Sequence, residues 1–329
     1  MMTQLGIAIT FLQAGILVIG FLRHRQRPLA FYGWAGLVGL SSAEGLAFSG
    51  VQTVAIYLTP IAWTCYILFT DAAVLATCGQ SRLHDHPRHF AALALLSIPL
   101  WLIFEAYNLR LQNWTYAGVP QAWPLALLGY GWSFATITPG IFETADLIES
   151  FGWFPPARSI KFSRVARGWM VFFGAICLLL PLVLTRTTAR RLFILVWIGF
   201  IFFLDPINYQ LGLPSLVGDF QRGRRSRFYA LLTSGFVCGW LWEFWNYWAA
   251  AKWYYIFPMF QHLKIFEMPL PGYLGFLPFA LECFVMYVTT ASMLKLLKRQ
   301  PQETAFLLPE YAGKEIKKMQ DGSHSHTAP

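Results

Sequence analysis

Apolar residues run along this chain in long blocks, and short basic stretches separate them. A block of about 20 apolar residues, wound as an α-helix, crosses about 30 Å of hydrocarbon. On that reading the pattern predicts nine spans, at 4–22, 30–50, 54–78, 91–109, 132–152, 166–185, 192–208, 228–248 and 272–297. The expected fold class is an all-α, polytopic membrane helical bundle. Residues 300–329 form a polar tail with no hydrophobic face, expected to be disordered or to lie on a surface.

Composition supports the reading. Hydrophobic residues make up 56% and charged residues 12% of the 329, with a mean hydropathy of +0.48, whereas soluble domains carry about 25% charged residues. The net charge of +9 is not a nucleic-acid signal, because the basic residues fall between spans. One side collects Arg23, Arg25, Arg27, Arg82, Arg88, Arg158, Lys161, Arg164, Arg167, Arg222, Arg224, Arg225, Arg227 and the basic residues from Lys295 onward. The other side keeps Arg110, Arg186, Arg190, Arg191, Lys252 and Lys264. The positive-inside rule then puts the N-terminus outside and the C-terminus in the cytoplasm, as for a bacterial inner-membrane protein. The three arginines of 185–191 are the weak point, since the topology changes if 192–208 does not cross. The N-terminus lacks a basic n-region and a cleavage site, so it reads as a retained span. Cys65, Cys78, Cys177, Cys238 and Cys283 lie in apolar segments and read as packing residues.

Once the acidic residues are aligned, an internal repeat emerges. The first half carries Asp71, then Glu105 and Asn108, then Trp114 and Tyr116, then Pro139 and Glu143. The second half carries Asp205, then Glu243 and Asn246, then Trp253 and Tyr255, then Pro278 and Glu282. The offset between partners drifts only from 134 to 139. Both sets begin outside and end inside, which predicts a parallel duplication of a three-helix unit around a central cavity. The chain then divides into 1–53 (N-terminal spans), 54–152 (first repeat), 153–191 (basic loop and connecting helix), 192–299 (second repeat) and the tail. The loops 110–131 and 249–271, rich in Trp, Pro and Gly, are expected to dip into the interface or cap that cavity.

Glu105, Glu143, Glu243 and Glu282 are the candidate catalytic acids, because ionisable residues inside a membrane are costly and tend to be functional. A glutamate and an asparagine three residues apart share a helix face, so Asn108 and Asn246 join the set. The alternative is that each Glu–Asn pair holds two helices together by hydrogen bonds. Trp114, Tyr116, Trp242, Trp245, Trp253, Tyr255, Phe104 and Phe142 neighbour the acids and are candidates to line a ligand cavity, where π faces hold a cation. Packing and interfacial anchoring is the blander role for each. Glu44 is read as structural, Asp146 and Glu149 as solvated, and Asp71 and Asp205 as solvated or helix-orienting. His84, His86 and His89 are read as a solvated loop rather than a metal site. No histidine falls within an expected span, and the chain has no phosphate-binding glycine loop or serine nucleophile elbow.

The ordered set Asn108, Trp114, Tyr116, Pro139, Glu143 and its second copy Asn246, Trp253, Tyr255, Pro278, Glu282 resembles the heterodimer-type membrane lycopene cyclases over about 54–152 and 192–297. Those proteins pair two similar three-span units and close the ends of a linear carotenoid by proton-initiated cyclisation, without net redox change. The integral-membrane terpene cyclases of fungal meroterpenoid pathways are similar in their use of acids and aromatics. This sequence departs from the first family in having a single Glu in P-x-x-x-E where the family has adjacent acids. The first span and spans 30–50 and 166–185 have no counterpart in the three-span unit.

The resemblance implies an acid-catalysed cyclase (or hydratase or isomerase) acting on a carotenoid or other isoprenoid lipid, with no metal and no cofactor. Glu143 or Glu282 would give the proton, Glu105 or Glu243 would remove one, and Asn108 and Asn246 would keep the carboxyls in register. Membrane lipids surround such a protein, nucleic acid has no part, and a homo-oligomer stays open. Two other classes compete: a proton-coupled transporter or lipid-binding protein using the same acids as a relay, and a metal-dependent prenyl or lipid transferase using Asp71, Asp205 and Asn208.

Overall fold

The computed structural model describes residues 1–297, so the expected polar tail lies outside the described residues. The described chain is mostly helical. Its long helices are α1 (Met2–His24), α2 (Phe31–Phe48), α3 (Leu58–Cys78), α4 (Pro87–Leu111), α5 (Trp123–Ser150), α6 (Arg164–Val183), α7 (Val196–Gln210), α8 (Ser226–Trp248) and α9 (Phe276–Leu297). Seven candidate spans among the described residues are long and apolar enough to cross a membrane: α1, α3, α4, α5, α6, and α7 and α9 with the short 3-10 turns that precede them. The expected spans 30–50 and 228–248 are present as helices α2 and α8, but neither is among the seven. Glycines, serines and Glu44 dilute α2; tryptophans, tyrosine, Asn246 and Glu243 dilute α8.

Small residues let pairs of helices approach closely, which is how apolar helices associate when lipid is as oily as they are. A Cβ on Gly36 of α2 would sit 2.5 Å from the Cys65 carbonyl of α3. One on Gly174 of α6 would sit 2.4 Å from the Phe203 amide of α7. So α2 lies along α3, and α6 lies along α7. Further packing joins α3 to α5, α4 to α5, α7 to α9 and α8 to α9, and α5 meets α8 across the middle. α1 packs mainly on α8, with lesser contacts to α5.

At one end of the bundle the two aromatic loops form strands. β1 (Trp114–Ala117) pairs antiparallel with β2 (Lys252–Tyr255), placing Trp114 opposite Tyr255 and Tyr116 opposite Trp253. A second, shorter ribbon joins β3 (Lys264–Ile265) to β4 (Met268–Pro269). The arginines of 185–191 lie at this end, where helix termini leave carbonyls without partners. Arg186 donates to the Leu109 carbonyl of α4, and Arg110 donates to the Leu184 carbonyl that follows α6, at 2.6 Å.

The opposite end carries most of the arginines. Here Asp146 corrects the expectation of a solvated residue: it is buried and takes a two-pronged ion pair from Arg82, at 2.6 and 3.0 Å. Glu149, also expected to be solvated, accepts from Ser226 at 2.7 Å. The spacing that brought both toward the interface gave no sign of these partners. Asp71 and Asp205 are buried and orient backbone. Asp71 accepts from Tyr32, Ser81 and the Leu83 amide; Asp205 accepts from the Leu216 and Val217 amides. Glu44 is structural as expected, accepting from the Trp245 indole at 2.9 Å.

Candidate functional site

A strand points alternate side chains to one face. In both Trp-x-Tyr segments, therefore, the Trp and the Tyr look the same way, back toward the helix that precedes them. On α4, Glu105 Oε1 accepts from the Trp114 indole at 3.1 Å, from the Trp101 indole at 2.9 Å and from the Tyr116 hydroxyl. On α8, Glu243 Oε1 accepts from the Trp253 indole at 3.3 Å and from the Tyr255 hydroxyl at 2.8 Å. The same glutamate–indole–phenol triangle thus occurs twice.

Asn108 and Asn246 take a different part from the expected one. Neither bonds its glutamate. The Asn108 carbonyl oxygen accepts from the Asn113 and Trp114 amides, while its amide nitrogen donates to the Trp114 carbonyl at 2.9 Å. Asn246 accepts from the Trp253 amide and donates to the Trp253 carbonyl, both at 2.9 Å. Each asparagine mimics a neighbouring strand and clamps the start of the strand that follows its own helix. The E-x-x-N spacing still explains the arrangement: one helix face offers a carboxylate for the strand's side chains and, one turn on, an amide for its backbone.

Beneath this two-stranded roof lies a cavity of about 160 Å³. Trp114, Tyr116, Trp242, Trp253 and Tyr255 line it, as the sequence led one to expect. Glu105 and Glu243 are not on its wall. They stand one layer back and touch it through their Trp and Tyr partners. Glu243 is fully buried and its Oε2 has no partner, whereas Glu105 is half-buried. Burial and the adjacent Glu105 hold the Tyr116 phenol well above its ordinary pKa; burial and Glu243 do the same for Tyr255. Both phenols therefore remain hydrogen-bond donors at neutral pH.

Other expected residues lie elsewhere. Glu143 and Glu282 are fully buried but off the cavity wall. Neither oxygen of Glu143 has a hydrogen-bond partner, and Glu282 Oε1 accepts from the Phe200 amide at 3.3 Å. Trp245 is occupied with Glu44. Phe104 stacks on Trp197, and Phe142 packs edge-on against Tyr287. The wall also includes residues the sequence reading missed, among them Trp101, Tyr57, Tyr130, Trp197 and Phe279. Trp101 was detectable, one helical turn before Glu105 on the same face. Phe279 was detectable in the same way, three residues before Glu282, whereas Tyr57 and Trp197 have no acidic neighbour in the sequence to single them out. Among the described residues, no cluster of three or more His, Cys, Asp and Glu is arranged to hold a metal ion.

No family model, curated protein or solved structure matches this chain.

Proposed function

We propose that this protein is a membrane-embedded acid-catalysed cyclase or isomerase of an isoprenoid lipid, working in the aromatic cavity beneath the β1–β2 roof. The observation that carries the reading is the pair of glutamate–tyrosine–tryptophan triangles, both opening onto one cavity of π faces. A carbocation needs electron-rich walls that do not react with it, and aromatic faces supply them at roughly 0.5–2 kcal/mol per contact. It also needs a proton at the start and a proton acceptor at the end.

In this reading the tyrosines touch the substrate and the glutamates stand behind them. With Glu243 protonated, its acid proton passes to the Tyr255 oxygen as the Tyr255 hydroxyl proton passes to a double-bond carbon, so that Tyr255 stays neutral and Glu243 is left as the carboxylate. A C–H bond forms, a second double bond closes the ring, and the positive charge moves to the far carbon. Tyr116 takes a proton from the neighbouring carbon while handing its own to Glu105, and the double bond re-forms. One proton enters and one leaves, with no net redox change. This assigns to Glu243 the part that the sequence pattern gave to Glu143 or Glu282. A dry cavity of about 150 Å³ holds benzene, so the space here suits one ring-sized end group rather than a whole carotenoid.

The duplication belongs to the same proposal, in an enlarged form. The α2–α3 and α6–α7 contacts occupy equivalent places, so the repeating unit becomes four helices, α2–α5 and α6–α9, with α1 outside it. A further matched pattern supports it: Asp71, Ser81 and Asp85 recur as Asp205, Ser215 and Asp219. The proposed orientation keeps the roof outside and the arginine-rich end in the cytoplasm of a bacterial inner membrane.

The test is expression in carotenoid- or terpenoid-producing hosts, with extracted lipids analysed by mass spectrometry. Product should appear with the native chain and vanish with E243Q and Y255F, while E143Q retains it. One observation favours a second reading. Glu143, without partners, lies at the arginine-rich end near the Arg82–Asp146 pair, as a proton-coupled transporter would need; uptake that collapses with the proton gradient and with E143Q would select it. The metal-dependent transferase is less favoured, because Asp71 and Asp205 already accept hydrogen bonds on their carboxylates.

A further inference from the structure

The cavity wall is not closed evenly. Beside the second-half helices it is sealed: Phe193 stacks on Phe257 at 5.0 Å, and Ile265, Phe266, Met268 and Tyr273 are buried. The chain between β2 and α9 is long enough to fold the β3–β4 ribbon into that side. Between β1 and α5 the first half has only residues 118–122, and nothing equivalent fills its side. There the wall is made by Tyr57, just before α3, and by Gly129, Tyr130 and Ser133 of α5, all half-buried.

Three details define this flank. The Tyr57 hydroxyl donates to the Leu125 carbonyl at 3.1 Å, bridging the segment before α3 to the first turn of α5, and two turns further along α5 the Trp132 indole donates to Thr64 of α3 at 2.8 Å. Gly129 faces the Tyr57 ring, so that an added Cβ would lie 3.3 Å from it. Trp123, Leu125, Leu127 and Leu128 beside it on α5 are exposed, and an exposed apolar helix face in a membrane protein is a face toward lipid.

We propose that the cavity opens sideways into the bilayer between the start of α3 and the first turns of α5, with Gly129 as the doorway and Tyr57 as its movable post. The ligand is therefore an apolar chain dissolved in the membrane, with its end group admitted past Tyr57 and the rest of its length left in lipid. This deepens the isoprenoid reading and rests on it only for the identity of the chain. The doorway itself follows from the wall. Apolar matter already in the bilayer pays no dehydration cost to reach such an opening, whereas a route over the roof edge at Val119 and Pro120 would pass it through water.

The experiment labels a cysteine placed in the wall, S133C, in a C65A/C78A background reconstituted in lipid nanodiscs. Pyrene maleimide, which partitions into the bilayer, is compared with charged methanethiosulfonate reagents of both signs. Pyrene maleimide should react readily and both charged reagents slowly. Adding G129W should slow pyrene labelling by roughly tenfold or more, a barrier increment of about 1.4 kcal/mol. Y57A should accelerate it, and V119W at the roof edge should leave it unchanged. The doorway is refuted by fast reaction with the charged reagents, or by V119W blocking labelling while Y57A has no effect. Labelling needs no turnover, so a protein with no cyclase activity but this labelling pattern counts against the reaction alone.

Discussion

Tyr116 lies opposite Trp253 in the two-stranded roof, yet each turns back to the glutamate of its own half. The strands exchange backbone hydrogen bonds across the halves while the side chains serve their own helices. Cutting one glutamate should therefore disturb its own Trp and Tyr first and leave the opposite triangle standing. An E243Q protein should keep the indole N–H resonances of Trp101 and Trp114 at their native positions while that of Trp253 shifts, as read by NMR of protein labelled with 15N at tryptophan.

The asparagine clamps make a prediction about stability rather than chemistry. N246A removes two hydrogen bonds at once and strands the buried backbone groups of Trp253. The expected cost is about 1–3 kcal/mol, read as a lower Tm in detergent. N246D should cost more than half as much, because it can still accept but cannot donate. If N246A lost activity with an unchanged Tm, Asn246 would act on the ligand instead.

Arg82 and Asp146 form a buried ion pair, and such pairs are weak net stabilisers whose halves are dangerous alone. R82M should destabilise by about 3–5 kcal/mol by leaving a buried carboxylate unpaired. The double variant R82M/D146L should recover most of that loss. Urea or thermal unfolding of the two proteins side by side checks it.

Tyr116 and Tyr255 predict a pH profile. Their folded pKa values lie well above the ordinary tyrosine value of 10.0. Their contribution to stability is therefore fully present below pH 10 and is lost as pH rises from there through the folded values. Tyrosinate absorbance in the folded protein should stay unchanged by Y116F or Y255F at pH 10, and stability should fall above it less steeply in those variants than in the native chain.

If the cavity stabilises a carbocation as proposed, it should also hold a stable cation of similar shape. A tertiary ammonium analogue of an isoprenoid chain is expected to bind more tightly than the neutral carbon analogue, and W242A should remove most of that preference. Quenching of tryptophan fluorescence by the two compounds measures the difference. Equal affinity would leave the walls with no role beyond packing.

Seven of the nine expected spans were legible among the described residues, because twenty apolar residues have few other uses. So were the acids and the two Trp-x-Tyr segments, because rarity in an apolar background marks them. The part of Asn108 and Asn246 was not. Helical spacing says which side chains share a face, but it is silent on which neighbouring segment that face meets, and here the neighbour is the backbone of the chain six or seven residues on. Asp146 was misread for the same reason: its partner Arg82 is far away in sequence, and their contact exists only after α3, α5 and the turn between α3 and α4 have packed. Glu143 and Glu282 illustrate the opposite error. Their recurrence was visible, and it was taken for proximity to the cavity.

Because β1 and β2 come from different halves, a chain caught midway through membrane insertion has walls without a ceiling. Its first triangle is built before any partner strand exists. The proposed cation chemistry could therefore start only once β2 and α9 have joined the walls laid down by the first half.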